Sequence, residues 1–167
     1  MTVMISINLK TVVADSVEEY TAKSILALNL ARFSEWPLET FKENKTSVDL
    51  CIWGDSTIVN AFSMIDKKPV GNKSLSLRKL SDVTQLENCH LLYIGEEKRN
   101  IAGLIEESYK RHILTIGENE DFLSNGGAVY LEVADSKINL HVNVSAMEKA
   151  GVRISSRVLK LATIFNP

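Results

Sequence analysis

The alternation of apolar and polar positions is clearest in the C-terminal part of the chain. Residues 129–133 and residues 138–144 each alternate apolar side chains with polar or amphipathic ones. This period of two predicts two half-buried strands. The four residues between them, Ala134–Lys137, predict a hairpin turn because short polar side chains can bond back to the turn backbone.

Helix-capping residues follow this hairpin. Ser145 and Glu148 have the spacing of a capping box, which predicts a short helix that ends at Gly151. Ser155 or Ser156 can cap a last helix. The region from residue 126 to residue 162 therefore predicts a strand, a turn, a strand and two short helices.

The first predicted helix runs from Ser16 to Phe33 and ends before a Trp-Pro pair. Ser16 and Glu19 have capping-box spacing at its start. Its apolar residues are spread around much of the circumference, so the helix is either packed deeply or keeps one face for a partner. Core packing is the commoner of these two outcomes. The candidate interface residues are Leu26, Leu30, Phe33 and Trp36.

The middle of the chain alternates apolar strands with amphipathic helices. The predicted strands cover residues 48–53, 74–80, 89–94 and 113–116, and the predicted helices cover residues 57–65 and 99–111. This alternation predicts an α/β fold whose mostly parallel sheet is flanked by helices. With the C-terminal hairpin, the sheet is mixed, has about six strands and is Rossmann- or flavodoxin-like. We expect one domain over residues 16–167, preceded by a disordered or residual segment over residues 1–15.

Composition and charge narrow the range of functions. The chain has 167 residues, of which 45% are hydrophobic and 24% are charged, and its formal net charge is −2. A chain without a basic face is not expected to bind nucleic acid or an anionic membrane. No apolar run has the roughly 18 residues that a spanning helix needs. Residues 1–14 form a poor signal peptide, so either the chain is cytosolic or its leader is absent or trimmed here.

No motif in the sequence predicts catalysis. The chain has no nucleophile elbow of the G-x-S-x-G type. A phosphoacceptor receiver domain needs an acidic pair after its first strand, and here only Asp55 follows that strand. The three histidines lack metal-ligand spacing, so we expect neither a metal site nor a cofactor.

Two weaker signals lie at the carboxyl ends of the predicted strands. Asp55 and Ser56 precede a helix, where they can help to bind an anion or simply cap the helix, which is the commoner role. Acidic residues also follow the third and fourth strands, where they can gather around a hard cation or form a solvated loop face, again the commoner outcome. These acids are Glu96, Glu97, Glu118, Glu120 and Asp121.

The hairpin suggests a further candidate ligand site. His141 lies on its polar face, and Arg153 and Arg157 follow shortly after it in the sequence. Together they can form a polar pocket for an anionic or aromatic small molecule. The alternative is an exposed strand face beside helix-capping charges, which is the more common arrangement.

The two cysteines lie in strands that a doubly wound sheet makes neighbours. Cys51 falls in the first predicted strand and Cys89, 38 residues later, at the start of the third. They form either a cross-strand disulfide or two buried free thiols. An oxidising compartment favours the bridge and the cytosol favours the thiols.

Three stretches of the chain resemble one family. They are AKSILALNLARFSEWP (residues 22–37), LCIWGDS (50–56) with CHLLYIG (89–95), and the hairpin and helices of residues 126–162. Together they resemble the YfiR-like family of small bacterial periplasmic proteins over roughly residues 20–164. The paired glycines, hairpin, Ala-Gly and Ser-Ser are specific as a set, although each piece is weak alone.

The resemblance implies a non-enzymatic periplasmic signalling regulator. The family's namesake is dimeric, responds to redox state and represses a membrane diguanylate cyclase, which lowers cyclic-di-GMP and biofilm formation. We therefore expect a membrane partner, either a diguanylate cyclase or a sensor kinase, and a homodimer. Cys51 and Cys89 match a cysteine pair of the family, whereas a later pair of the namesake is missing. The alternative is a small-molecule-binding sensor of a transport or two-component system.

Overall fold

The computed structural model describes residues 9–42, 44–95 and 101–167. Its α-helices are α1 (Leu9–Arg32), α2 (Ser56–Phe62), α3 (Ala102–Lys110), α4 (Asp121–Ser124), α5 (Val144–Ala150) and α6 (Ser156–Leu159). Its strands are β1 (Ser34–Glu35), β2 (Ser47–Trp53), β3 (Pro69–Val70), β4 (Lys73–Lys79), β5 (Leu91–Ile94), β6 (Leu114–Gly117), β7 (Val129–Ala134), β8 (Lys137–Asn143), β9 (Arg153–Ile154) and β10 (Thr163–Phe165). Short 3-10 turns lie at Leu38–Thr40, Ser63–Ile65 and Val83–Leu86.

The main sheet of the described residues has eight strands in the order β10-β8-β7-β6-β5-β2-β4-β3. The five neighbouring strands β4, β2, β5, β6 and β7 are parallel to one another. At the two ends of this group, β3 pairs antiparallel with β4 and β8 pairs antiparallel with β7. The order β4-β2-β5-β6-β7 is the doubly wound, flavodoxin-like arrangement. The predicted α/β class and mostly parallel sheet are confirmed. The sheet has eight strands rather than about six because β3 and β10 are too short to show a hydrophobic pattern.

Alternate residues of the central strands face two separate cores. On β2, Leu50 and Ile52 point into a core shared with α1 and α2, and Cys51 points to the opposite side. That second core includes Leu104 of α3 and Phe122 of α4. The central strands β2, β5 and β6 are thus covered on both faces, which explains the apolar runs at residues 50–53 and 91–94.

Helix α1 begins earlier than the sequence pattern predicts. It starts at Leu9, so Ser16 lies inside the helix and the predicted capping box with Glu19 is wrong. The carboxylate of Glu19 instead pairs with Lys23 one turn later. Residues 1–8 of the predicted N-terminal segment lie outside the described residues.

The C-terminal hairpin is tighter than predicted. Only Asp135 and Ser136 lie between the two strands, with φ angles of 51° and 59°. Two consecutive residues with positive φ are typical of the type I′ turn, whose twist matches that of the flanking strands. Ala134 and Lys137 are the first and fourth residues of this turn and also pair with each other, so the predicted hairpin turn is confirmed and the loop between the strands has only two residues.

The caps of the last helices differ in part from the prediction. Asn143 caps α5, because its side-chain oxygen accepts a hydrogen bond from the Ala146 amide at 3.1 Å. The predicted capping box at Ser145 is wrong, since that residue lies inside α5. Gly151, with φ of 68°, ends this helix as predicted, and Ser155 caps α6.

Within the described ranges, none of the helices combines the length and the apolar character that crossing a bilayer requires.

Candidate functional site: an apolar groove beside the first helix

An apolar groove of about 290 Å³ lies between α1, the hairpin and the C-terminal segment. Its lining residues are Leu26, Asn29, Leu30, Phe33, Ile138, Asn139, Leu140, Val158, Leu161 and Thr163. A concave, mostly apolar surface with a few polar groups is typical of sites that take a small molecule or an anchoring side chain of a partner.

Helix α1 supplies one wall of this groove. Leu26, Leu30 and Phe33 are four and three residues apart, and the Phe33 amide, just after the end of α1, still donates to the Asn29 carbonyl at 3.0 Å, so all three share one side of the helix. Leu30 is 2% exposed and packs into the core, whereas Phe33 is 39% exposed at the groove. Three of the four predicted interface residues therefore line the groove. The fourth, Trp36, is buried and donates from its Nε1 to the carbonyl oxygen of His90 at 3.0 Å.

The C-terminal segment supplies the opposite rim. Strand β10 pairs in parallel with β8, with Thr163 opposite His141. The turn between α6 and β10 carries Leu161, which lines the groove and is 85% exposed. The rim thus presents an aliphatic side chain to solvent beside a concave apolar surface, as interaction sites commonly do.

The three residues of the predicted polar pocket do not come together. His141 contacts Glu132, with 2.9 Å between Nε2 and Oε2, and stacks on Tyr130. Arg153 instead lies on β9, opposite Glu35 of β1. Arg157 is the second residue of α6, and its amide donates to the side-chain Oγ of Ser155 at 3.2 Å. Among the described contacts, none joins His141 to either arginine.

The hydrogen bonds on the hairpin have an electrostatic consequence. The side chains of His141 and, secondarily, Asn139 donate to Glu132 and hold the pKa of its carboxyl below the ordinary value. The polar side chains on this face of the hairpin are therefore hydrogen-bonded to one another. The other predicted anion site is a helix cap, because the Asp55 carboxylate accepts from the Ile58 amide at 3.1 Å and Ser56 starts α2.

A buried polar network lies at the carboxyl edge of the sheet. Lys23 of α1 is 3% exposed, and its Nζ lies 3.1 Å from Oε1 of Glu118, whose side chain is 5% exposed. The hydroxyls of Tyr93 and Tyr20 also donate to Glu118. Burial, followed by the Glu118 charge, raises the pKa of both tyrosines, so both stay protonated and able to donate. The network fixes α1, and with it the groove wall, against the end of β6.

This network corrects the prediction of a solvated acidic face at Glu118, whereas Glu120 and Asp121 are exposed, as that prediction expects. Glu118 is buried and paired, while Glu96 and Glu97 lie outside the described residues. In the described part of the chain, no group of three or more His, Cys, Asp or Glu side chains could hold a metal ion. Sequence reasoning missed Lys23, although a lysine between the apolar residues of a buried helix was a signal for an internal ion pair.

The two cysteines form a disulfide. Cys51 on β2 and Cys89, just before β5, are bonded, with 5.8 Å between their Cα atoms. The third predicted strand begins at Leu91 rather than Cys89, so the bridge joins β2 to the segment that leads into β5. Nη2 of Arg78 lies 3.3 Å and 3.2 Å from the two sulfurs and also donates to the Glu87 carbonyl. A guanidinium group therefore covers the bridge.

Comparison with known proteins gives a family and a fold. A family model described as YfiR/HmsC-like matches residues 20–163. One similar solved structure is an ABC domain from Streptococcus pneumonia in complex with L-Trp, with a TM-score of 0.51 and 9% identity. Another is a conserved domain protein from Vibrio cholerae o1 biovar eltor, with a TM-score of 0.53 and 13% identity. Both matches cover 77% of this chain, and 58% and 57% of the respective structures. The chain thus spans less than two thirds of these proteins, and the likeness shows the α/β fold.

Proposed function

This chain belongs to the YfiR/HmsC-like family, and on that premise we propose that it is a periplasmic regulator that binds and represses a membrane diguanylate cyclase. The regulator catalyses no reaction itself. Binding to the cyclase lowers cyclic-di-GMP and with it biofilm formation. A membrane sensor kinase is the alternative partner of the same type.

The observation that carries this proposal beyond family membership is the apolar groove. Its rim exposes Phe33 and Leu161 beside a concave, mostly apolar surface, and apolar side chains grouped in this way are typical of interaction sites. A volume of about 290 Å³ suits one or two anchoring side chains of a partner protein. The buried network at Lys23 holds one wall of the groove in place, so little ordering cost accompanies binding.

The disulfide supports the proposed periplasmic location. Cysteine bridges persist in the bacterial periplasm and are rare in the cytosol. Cys51 and Cys89 are fully or almost fully buried and bonded, as the proposed location allows.

Co-purification from the native envelope tests this proposal. The tagged chain is expressed with a periplasmic leader, and the captured membrane proteins are identified with and without reductant. We compare Leu161→Glu in the groove with Leu38→Glu, because the two leucines are 85% and 86% exposed and Leu38 lies on the 3-10 turn after β1. A diguanylate cyclase captured by the wild type and Leu38→Glu, but not by Leu161→Glu, supports the proposal. If none of the three proteins captures a membrane signalling protein, the proposal is contradicted.

A second candidate function is a small-molecule sensor. The groove contains the polar side chains of Asn29, Asn139 and Thr163, which could orient a ligand within an apolar surface. L-Trp is a sensible first probe because one structural neighbour was solved in complex with it. Calorimetric binding that Leu161→Glu abolishes would favour this function. Flat titrations with L-Trp, nucleotides and other amino acids would count against it.

A further inference from the structure

The hairpin leaves part of one strand edge open beside the groove. Strand β10 pairs with β8 only from Thr163 onward, opposite His141. In the described part of the chain, no strand lies beside residues 137–140 on that side of β8. Four residues of a strand extend over roughly 13 Å, so a gap of that length lies in line with β10.

The hydrogen-bond pattern of the hairpin shows which backbone groups face this gap. The Asn143 amide donates to the Ala128 carbonyl at 2.8 Å, so the backbone of Asn143 points away from β10 and towards the rest of the hairpin. Backbone direction alternates along an antiparallel strand, so Ile138 and Leu140 point the other way, into the gap. The amide and carbonyl of Ile138 and the amide of Leu140 therefore face the groove with no described strand beside them. Such groups at an edge are a template for another main chain.

The open edge and the groove form one continuous surface. Ile138, Asn139 and Leu140 all line the apolar groove. The side chains of Ile138 and Leu140 pack against the core beneath α1, whereas Asn139 belongs to the opposite, polar face of the hairpin. A second cavity of about 510 Å³ shares Ile138 with the groove and continues to Ser136 in the turn. The two cavities thus follow the open edge of β8 from β10 to the tip of the hairpin.

We propose that the groove is a strand-addition site, in which an extended segment of the partner protein pairs its main chain with Ile138 and Leu140 of β8. This inference rests on the proposed function and specifies how the partner is held. The segment fills the gap in line with β10 and extends the main sheet, a recurring mode of peptide recognition. Its side chains alternate in direction, so one set enters the apolar groove against Leu26 and Phe33 and the other lies beside Asn139. We therefore expect a segment of about four residues that alternates apolar and polar positions.

The open backbone groups favour an extended peptide over other occupants. An apolar helix would fill the groove, but its own backbone is already bonded and leaves the amides and the carbonyl of β8 without partners. The end of the surface near the turn carries the acidic side chains of Glu18 and Glu19 and the basic side chain of Lys137. A basic residue at that end of the partner segment complements this excess of acid. The other edge of the sheet is closed, because Pro69 of β3 has no amide hydrogen and its carbonyl accepts from Nε of Arg32 at 2.9 Å.

A backbone substitution tests the strand pairing. We compare Ile138→Pro with Ile138→Ala in the envelope co-purification, because both shorten the side chain and only proline removes the outward amide hydrogen. A strand edge tolerates proline where the amide is unpaired, so both variants should have the circular dichroism spectrum of the wild type. Ile138→Pro should capture the cyclase roughly tenfold less than Ile138→Ala does. Equal capture by the two variants overturns the inference and leaves the proposed function standing, whereas a wild type that captures no signalling protein contradicts the proposed function itself.

Amide hydrogen exchange tests the same pairing without a substitution. In the isolated chain, the amides of Ile138 and Leu140 should exchange fast, whereas the amides of Asn139 and His141, which point into the hairpin, should be protected. In the captured complex, exchange at Ile138 and Leu140 should slow by roughly tenfold or more. Exchange at these two amides that is equally fast in the complex and in the isolated chain overturns the inference. Protection that appears in the isolated chain and grows with its concentration would assign the edge to a second copy and also overturn it.

Discussion

Reduction of the Cys51–Cys89 bridge removes a constraint on the unfolded chain. The bridge links residues 38 positions apart. The chain-entropy relation gives about 4 kcal/mol of stabilisation at 25 °C for a loop of this length. In the folded chain both sulfurs are buried and Arg78 lies against them, and the chain-entropy relation counts only the effect of the bridge on the unfolded chain. We therefore expect reduction to lower the free energy of unfolding by about 4 kcal/mol, almost entirely through the unfolded state.

Urea unfolding followed by circular dichroism measures this loss in the oxidised and the reduced protein. In thermal unfolding, a chain of this size loses roughly 2–4 °C of Tm for each kcal/mol of lost stability, so the Tm of the reduced protein should be lower by roughly 10 °C. The variant in which both Cys51 and Cys89 are replaced by Ala is the control, because reductant should not change its stability further. A difference below about 1 kcal/mol between the oxidised and reduced proteins would refute the reasoning. Two free thiols in unfolded, unreduced protein would show that the bridge is not formed.

Two further predictions concern buried charge. His90 is 1% exposed, and burial, with a smaller effect of the Lys45 charge, lowers its pKa to about 4. The unfolded chain, with an ordinary histidine pKa near 6.5, takes up the proton first, so stability should fall as the pH drops from about 6.5 towards 4. The loss amounts to about 2 kcal/mol at pH 5. Between pH 7.5 and pH 5, the free energy of unfolding measured by urea titration should fall by about 2 kcal/mol less in His90→Gln than in the wild type, and an equal fall in both would contradict the assignment. Lys23→Met leaves the Glu118 carboxylate buried without its cation and should cost about 3–5 kcal/mol. Adding Glu118→Gln should recover much of that loss, and a single variant as stable as the wild type would show that the pair is solvated.

The central sheet was predictable because its signals are local. Strand β5 and residues 50–53 of β2 are largely buried on both faces, so their sequences are continuous apolar runs. The short strands β1, β3, β9 and β10 have two or three residues each and form only by pairing with distant segments. No period can be read from so few residues, and the sequence accordingly predicted a smaller sheet.

The sequence indicated only the part of the groove that α1 contributes. The wide apolar distribution on α1 predicted either core or interface, and both occur on the same helix, since Leu30 is buried and Phe33 is exposed at the groove. The division depends on Leu140 and its neighbours in the hairpin, which lie more than 100 residues later. No local pattern carries that information.

Proximity in sequence misled the ligand-site prediction. His141 and Arg153 are twelve residues apart, yet they belong to different sheets, because β8 joins the main sheet and β9 pairs with β1. Conversely, Lys23 and Glu118 are separated by 95 residues and share a buried ion pair. Sequence neighbours converge only when one element carries them on the same face.

Cyclic-di-GMP in the native host tests the central claim most directly. The host lacking its chromosomal copy is complemented with the wild type, with Leu161→Glu and with Leu38→Glu, each exported to the periplasm at equal abundance. We predict that the wild type and Leu38→Glu lower cyclic-di-GMP, whereas Leu161→Glu leaves it at the level of the deletion strain. Cyclic-di-GMP that is the same in the deletion strain and in all three complemented strains would contradict the account.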